Sequence, residues 1–226
     1  MLTLSGGPAW AGQKAEKIKI EAGSKKAAVI IRAPQLKPAP GKQTAYRIEL
    51  QQYHPEEQRV GGPGITLKAK PKLFYGDDYL VADIEPGIYA FREVSVQDFW
   101  AVCFHESSRT FEVKPGQIVF LGNFNAARHV WDVQIKANDS LRTISVNNQL
   151  VHFFDNIEPP AISAITEEQM NKAVNFANEN MPRSTVEPTA ANYSEARFGT
   201  GSDIFGMTRS CGGWHQGKAK PKKGKD

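Results

Sequence analysis

Two strand–Pro-Gly–strand units between residues 79 and 122 decide the fold of this 226-residue chain. The first is Tyr79-Leu-Val-Ala-Asp-Ile84, then Glu85-Pro-Gly87, then Ile88-Tyr-Ala-Phe-Arg-Glu-Val94. The second is Arg109-Thr-Phe-Glu-Val-Lys114, then Pro115-Gly116, then Gln117-Ile-Val-Phe-Leu-Gly122. Proline presets φ at the second position of a tight turn, and glycine accepts the positive φ of the third. We therefore expect each unit to be a pair of strands joined by a hairpin turn or by a corner between sheets.

Other short stretches on both sides of these units alternate with period two or are apolar and β-branched, as strands are. They are Lys17–Glu21, Ala27–Arg32, Thr44–Leu50, Phe99–Phe104, Val130–Ile135 and Leu141–Val146. Residues 34–43 and 51–64 are rich in proline, glycine and polar residues and predict loops. Because no crossover helix fits between the strands, the sequence predicts a mostly β protein, an antiparallel β-sandwich.

The sequence predicts one C-terminal helix, over about residues 166–181. Thr166-Glu-Glu-Gln169 is a capping box, and Pro182 ends the helical spacing. We expect its apolar face to pack on the sandwich and not to bind a partner. That face consists of Met170, Ala173, Val174, Ala177 and Met181.

These patterns divide the chain into four segments. Residues 1–15 are a truncated signal-peptide remnant or a disordered N-terminus, and residues 16–157 form the sandwich. Residues 158–215 hold the helix and an extended arm that wraps the body, since large apolar residues such as Phe198 and Phe205 persist there. Residues 216–226 are expected to be a disordered lysine-rich tail.

The basic character of the protein belongs to that tail. The chain has 28 basic and 24 acidic side chains, a net charge of +4, and the tail alone has five lysines and one acid. The rest is neutral, which argues against a body built to bind nucleic acid. We expect the tail to be solvated, with weak contact to an anionic surface or to nucleic acid as the alternatives.

The N-terminus leaves the compartment open. Ala9-Trp10-Ala11 is typical of a signal-peptide cleavage site, although no basic segment precedes it. If Met1 lies inside a signal peptide, the protein is periplasmic or secreted; if Met1 is the true start, it is cytoplasmic. No stretch is long and apolar enough to be a transmembrane helix.

Cys103 and Cys211 allow three interpretations. We favour a disulfide that pins the arm to the sandwich, since 108 residues separate the two cysteines and the arm has few other anchors. The alternatives are two free thiols, or a zinc site made of Cys103, His105, Cys211 and His215, whose spacing differs from that of common zinc fingers. Apart from zinc, no cofactor is expected, because P-loop, dinucleotide, nucleophile-elbow and metalloprotease motifs are missing from the sequence.

Aromatic residues of the central strands raise a binding hypothesis. Tyr79, Tyr89, Trp100 and Trp131 are candidates for a platform that holds carbohydrate or peptide. Core packing is the competing and favoured explanation, because alternate residues of a strand fill the core.

The two Pro-Gly units resemble those of uncharacterised bacterial envelope proteins with a prealbumin-like or carboxypeptidase-regulatory-like β-sandwich. The similarity covers residues 27–136 and carries no catalytic residues across. It implies a periplasmic or secreted sandwich without known catalysis. Some such proteins are lipoproteins, but position 12 is glycine where a lipid-bearing cysteine would stand.

Taken together, the sequence predicts a non-enzymatic structural or binding module of the bacterial cell envelope, with an envelope protein or a carbohydrate as its partner. The alternative is a hydrolase or zinc enzyme built from loops around Cys103, His105, Cys211 and His215.

Overall fold

The computed structural model describes residues 14–34, 45–69, 78–96, 100–132, 152–155, 158–202, 205–206, 209–213 and 215–219. A single 3₁₀ turn spans Ala15–Lys17, helix α1 covers residues 126–132, and helix α2 is Glu167–Asn180. The first eight strands are β1 (Ala27–Arg32), β2 (Tyr46–His54), β3 (Arg59–Ala69), β4 (Tyr79–Ile84), β5 (Gly87–Val96), β6 (Trp100–Cys103), β7 (Ser108–Val113) and β8 (Ile118–Asn123). The others are β9 (His152–Asp155), β10 (Pro188–Ala190), β11 (Ser194–Ala196), β12 (Gly201–Ser202) and β13 (Arg209–Ser210).

In this part of the chain, the strands form two facing sheets and a small hairpin. The larger sheet has the order β11-β7-β5-β2-β3. In addition, β6 pairs with the C-terminal half of β5, and β9 pairs with β6. The smaller sheet has the order β10-β8-β1-β4, and β12 pairs with β13. Most neighbouring strands pair in antiparallel orientation, whereas the pairs β1–β8, β8–β10 and β6–β9 are parallel. The predicted mostly β fold, an antiparallel β-sandwich, is confirmed.

Alternation along the strands assigns side chains to the layers. Ala27, Val29 and Ile31 of β1 point into the core between the sheets, whereas Ala28 and Ile30 point to the opposite side. Both faces of β1 are covered, which explains why its sequence is an unbroken apolar run. Across the core lie apolar residues of the larger sheet, including Ile48, Leu50, Phe91, Val94 and Phe111.

Helix α2 covers the outer face of the smaller sheet. Thr166 caps it: the Thr166 hydroxyl accepts from the Gln169 N–H, and the Gln169 side chain accepts from the Thr166 N–H. The predicted helix and capping box are confirmed. Its buried residues are Ala173, Phe176 and Ala177, so the packed face includes Phe176, which the predicted face lacks, whereas Val174 is only half-buried.

The C-terminal arm crosses from one sheet to the other. Strand β10 extends the smaller sheet beside β8, and β11 then extends the larger sheet beside β7. Between them, the Tyr193 hydroxyl donates to the Leu121 carbonyl oxygen at 2.6 Å. The arm therefore closes one open side of the sandwich before it continues over the outer face of the larger sheet.

Three predicted local structures are wrong. Residues 17–21 are not a strand, although Ile18 and Ile20 are buried as their alternation implied. Residues 130–132 of the predicted strand Val130–Ile135 belong to helix α1. The predicted loop 51–64 is a hairpin formed by β2 and β3. The predicted strand Leu141–Val146 lies outside the described residues.

Candidate functional site

The outer face of the larger sheet is organised around a disulfide. Cys103 at the end of β6 is bonded to Cys211 in the arm, with 5.6 Å between their Cα atoms, so the favoured prediction is confirmed. Both residues are buried in a small apolar cluster with Val60, Ala90 and Phe198. The bond therefore attaches the arm to the middle of this face, 108 residues away along the chain.

Hydrogen bonds fasten the arm on both sides of the disulfide. The Tyr53 hydroxyl donates to the Arg197 carbonyl oxygen at 3.1 Å, and the Phe198 N–H donates to the His105 carbonyl oxygen at 3.0 Å. Beyond Cys211, the side-chain carbonyl of Gln216 accepts from the Val60 N–H at 3.2 Å. Gln216 is the first residue of the predicted tail, so the attached part of the arm is longer than expected.

A β-bulge in β5 places charged side chains beneath the arm. Glu49 of β2 pairs with Glu93, but the next residue, Leu50, pairs with Phe91, so Arg92 is an extra residue in β5. Phe91 and Val94 both point into the core, which leaves Arg92 and Glu93 together on the outer face. Bulges of this kind redirect side chains and are common beside functional sites.

The bulge assembles an ionic group that we call the outer polar cluster: Glu49, Gln51, Arg92 and Glu93. Arg92 Nη2 lies 3.1 Å from Glu49 Oε2 and 3.3 Å from Glu93 Oε2, and Arg92 Nη1 donates to Gln51 Oε1 at 2.9 Å. The side chains of Arg92 and Glu49 are 26% and 24% exposed, whereas that of Glu93 is only 7% exposed. One arginine is thus shared by two carboxylates of different exposure.

The disulfide borders this cluster directly. Glu93 of β5 has two cross-strand neighbours, Glu49 of β2 on one side and Cys103 of β6 on the other. The three residues therefore form a row across β2, β5 and β6. Cys211 Sγ lies 3.3 Å from the Arg92 carbonyl oxygen. The arm, which Cys211 anchors, therefore lies next to the buried members of the outer polar cluster, on the side of Glu93 and the Arg92 backbone.

Burial controls the protonation of Glu93. It raises the pKa of Glu93 to about 7; the Arg92 charge opposes this rise, and the Glu49 carboxylate adds to it. Burial also disfavours the charge of Arg92, but the two carboxylates more than offset this, and the pKa of Arg92 lies above its ordinary value. The pKa of Glu93 is therefore well above that of an ordinary carboxyl group, although Arg92 contacts it directly.

The zinc hypothesis does not match the oxidised state. Cys103 and Cys211 are bonded to one another and offer no thiolate to a metal ion. His105 is buried beside the arm, and His215 is exposed. Within the described ranges, no group of three or more His, Cys, Asp or Glu side chains is placed to hold a metal. The zinc site remains a prediction for the reduced protein only.

The four candidate aromatic residues lie in different layers. Tyr89 is in the core, and its hydroxyl donates to the Glu85 carbonyl oxygen at 2.9 Å. Tyr79 stacks on Phe176 under helix α2, with 4.6 Å between ring centroids, and Trp100 packs at the margin of the core. Trp131 of α1 is 48% exposed. The structure does not bring these residues together on one surface.

Sequence reasoning missed the outer polar cluster, although a signal was present. In Phe91-Arg92-Glu93-Val94, two consecutive charged residues separate two apolar ones, and this breaks the period-two alternation of β5. A break of this kind inside an otherwise alternating strand indicates a bulge. The partner carboxylate Glu49 was not predictable, because pairing across strands depends on register.

Two further findings concern membrane-spanning helices and similarity to known proteins. Within the described residues, no helix has the length and apolar character needed to cross a membrane. Comparison with protein-family models, with curated proteins and with solved structures finds no match to this chain.

Proposed function

We propose that this protein is an exported β-sandwich module that works in an oxidising compartment, the bacterial periplasm or the outside of the cell, where it binds a partner or has a structural role. The single observation that carries the proposal is the Cys103–Cys211 disulfide. Disulfides persist in such compartments and are rare in the reducing cytosol. The similarity of the Pro-Gly units to bacterial envelope sandwiches supports the same compartment.

The position of the disulfide also supports a structural role. It joins the last part of the arm to β6, 108 residues away along the chain, so it closes a long loop that contains β7, β8 and α2. In the chain-entropy account, a cross-link over such a loop stabilises the folded state by about 4–5 kcal/mol. The bond is therefore well placed to hold a binding surface in a fixed shape.

Binding is favoured over catalysis because the reactive groups of this region are engaged. The two cysteines are bonded to each other, and Glu93 lies beneath the arm in contact with Arg92. Away from this region, His129 is buried against the core rings of Phe104 and Phe124, and its Nε2 accepts from the Ala161 N–H at 2.9 Å. Glu49 and Arg92 remain partly exposed, and we propose that a partner, an envelope protein or a carbohydrate, contacts the protein at this edge.

The compartment can be tested in cells of the native host. Cells are separated into cytosolic and periplasmic or secreted fractions, and free thiols are labelled with a maleimide-linked polymer under denaturing conditions. We expect the protein in the exported fraction, with no label before reduction and two labels after it. A Cys211→Ser variant, which has one free thiol, calibrates the mobility shift. Protein in the cytosol with two free thiols would overturn the proposal.

The alternative, a zinc-dependent enzyme, predicts a different result for the reduced protein. If Cys103, His105, Cys211 and His215 hold zinc, the fully reduced chain must bind it stoichiometrically and with release of protons. We expect no stoichiometric zinc after reduction, dialysis against zinc and metal analysis. One zinc per chain, lost in a His215→Ala variant, would support the enzyme and contradict the binding module.

A further inference from the structure

Two polar side chains lie next to each other on the outer face of the smaller sheet. Arg32 at the end of β1 is paired with Asn123 at the end of β8, and paired residues of neighbouring strands share a face. Ile30, two residues before Arg32, packs towards helix α2, so the alternation of β1 turns Arg32 to the same side. The pair therefore lies on a different sheet from the outer polar cluster.

A bulge in β8 brings Asn123 to this position. Between the pairs Ile30–Phe120 and Arg32–Asn123, β8 has one residue more than β1. Gly122 has a φ of 84°, a backbone conformation that glycine adopts without strain. Bulges redirect side chains, and this one places the Asn123 side chain beside that of Arg32.

Main-chain hydrogen bonds hold the pair in place. The Phe124 N–H donates to the Arg32 carbonyl oxygen at 2.8 Å, and the Ser163 N–H donates to the Asn123 carbonyl oxygen at 3.1 Å. Ser163 lies shortly before α2, which packs on the same face of the sheet. Two strands and the segment that leads into a helix thus fix the two residues, and rigid elements of this kind make precise binding sites.

The protein itself satisfies neither side chain. Asn123 Oδ1 is buried and accepts no hydrogen bond within the described residues. Arg32 is half-buried and forms no hydrogen bond or ion pair in the part of the chain that the structure describes. A buried acceptor without a donor lowers stability, and native proteins keep few of them. A ligand that pairs with both groups would explain why they are present.

The chemistry of the two groups defines the ligand. A guanidinium binds a carboxylate through two parallel N–H donors. The Asn123 oxygen is an acceptor, so it needs an N–H or O–H group. The ligand must therefore have a donor close to its carboxylate, whereas a bare anion would leave the Asn123 oxygen unpaired. The end of a peptide has this combination, because its last amide nitrogen and its carboxylate are joined to one carbon atom.

We propose that Arg32 and Asn123 bind the free C-terminus of a peptide. Arg32 holds the terminal carboxylate, and Asn123 Oδ1 accepts a hydrogen bond from the last amide N–H. Both contacts are made to main-chain groups of the peptide, so they tolerate different side chains. The proposal does not depend on the disulfide, on the exported location or on the outer polar cluster, and it can fail or succeed separately from them.

The test is an NMR titration of the oxidised, nitrogen-15-labelled full chain with three pools of acetylated tripeptides of random sequence. The first pool ends in a free carboxylate, and the second ends in a carboxamide. In the third, an ester oxygen replaces the last amide N–H. We expect the Asn123 side-chain amide and Arg32 Nε signals to shift with the first pool. The carboxamide and ester pools should bind about tenfold more weakly or less, because each lacks one of the two contacts.

Variants assign the binding to the two side chains. Arg32→Gln and Asn123→Leu should each weaken binding of the first pool about tenfold or more. Arg183→Gln and Asn178→Leu are the matched controls, since both residues are exposed, and they should bind like the wild type. Asn123→Leu also removes a buried acceptor that has no donor, so we expect it to unfold at the same urea concentration as the wild type or at a higher one. That result separates a loss of binding from a loss of folding.

Three results would overturn the proposal. The first is no shift at Arg32 and Asn123 with the first pool, and the second is an equal loss of binding in the control variants. The third is an equal shift with the ester pool or with acetate at the same concentration. That last result would assign Arg32 to unspecific anion binding.

Discussion

Arg92 and Glu93 are consecutive residues of β5, yet their side chains meet on the same face of the larger sheet, with 3.3 Å between Nη2 and Oε2. The bulge at Arg92 causes this arrangement, and the strand partner of Glu93 on the far side is Cys103. The disulfide therefore lies next to the residue whose carboxyl group the bulge has turned to the outer face. This relationship places the disulfide beside one buried glutamate.

Glu93 should make the protein less stable as the pH rises. Its pKa is about 7 in the folded state and 4.5 in a free chain, so the folded state binds the proton more tightly. The stabilisation is complete below pH 4.5 and is lost as the pH rises through 7, a change of about 3 kcal/mol. Urea unfolding from pH 4.5 to 8 measures it. Glu93→Gln should remove this part of the pH dependence; a variant whose profile parallels the wild type would contradict the assignment.

Loss of the disulfide should destabilise the fold. Cys211→Ser removes the link between the arm and β6, and we expect the free energy of unfolding to fall by about 2–5 kcal/mol. Wild-type protein unfolded in reductant is the matched control and should behave like the variant. If the oxidised protein and the variant unfold at the same urea concentration, the arm is held without the disulfide.

The same variant should weaken the effect of pH on Glu93. Without the bond, the arm leaves the region of Glu93 more often and water reaches the carboxyl group, so its pKa falls towards the ordinary value. The loss of stability between pH 4.5 and 8 should then be smaller in Cys211→Ser than in oxidised wild type. An unchanged loss would show that strands alone, and not the arm, bury Glu93.

His129 should act in the opposite direction, at lower pH. Burial and the nearby Arg128 charge lower the pKa of His129 to about 4, from 6.5 in a free chain. Its neutral form contributes stability above pH 6.5, and this is lost as the pH falls towards 4, by about 3 kcal/mol. His129→Gln keeps an acceptor for the Ala161 N–H and should flatten the profile between pH 4 and 6.5. Equal slopes for variant and wild type would refute a buried neutral imidazole.

Much of the fold could be predicted because local signals agree with the tertiary structure. The Pro-Gly turns lie between β4 and β5 and between β7 and β8, and Thr166 caps α2 as its motif indicates. The Cys103–Cys211 disulfide could be predicted because the chain has only these two cysteines and the arm has few other anchors. The turns and the helix cap are set by residues adjacent in sequence, and the disulfide by a single pair of residues, so a single sequence is enough to predict them.

The failures arose where the environment decides the structure. Gly61-Gly-Pro-Gly64 reads as a loop, but β3 is an edge strand, where Pro63 needs no ladder partner on its open side. The stretch Val130–Ile135 alternates in sequence as a strand does, but residues 126–132 form helix α1. There, the buried residues Ala126, His129 and Val130 have helical spacing. The outer polar cluster depends on the register of β2 against β5, which no local pattern specifies.

The central claim, that the native protein carries the Cys103–Cys211 bond, is tested most directly by mass spectrometry. Protein is taken from its native host with thiols blocked at lysis and is digested with trypsin without reduction. We predict that peptide 93–109 and peptide 210–218 are found joined by a disulfide and separate after reduction. Recovery of both peptides with blocked, unpaired cysteines would contradict the account.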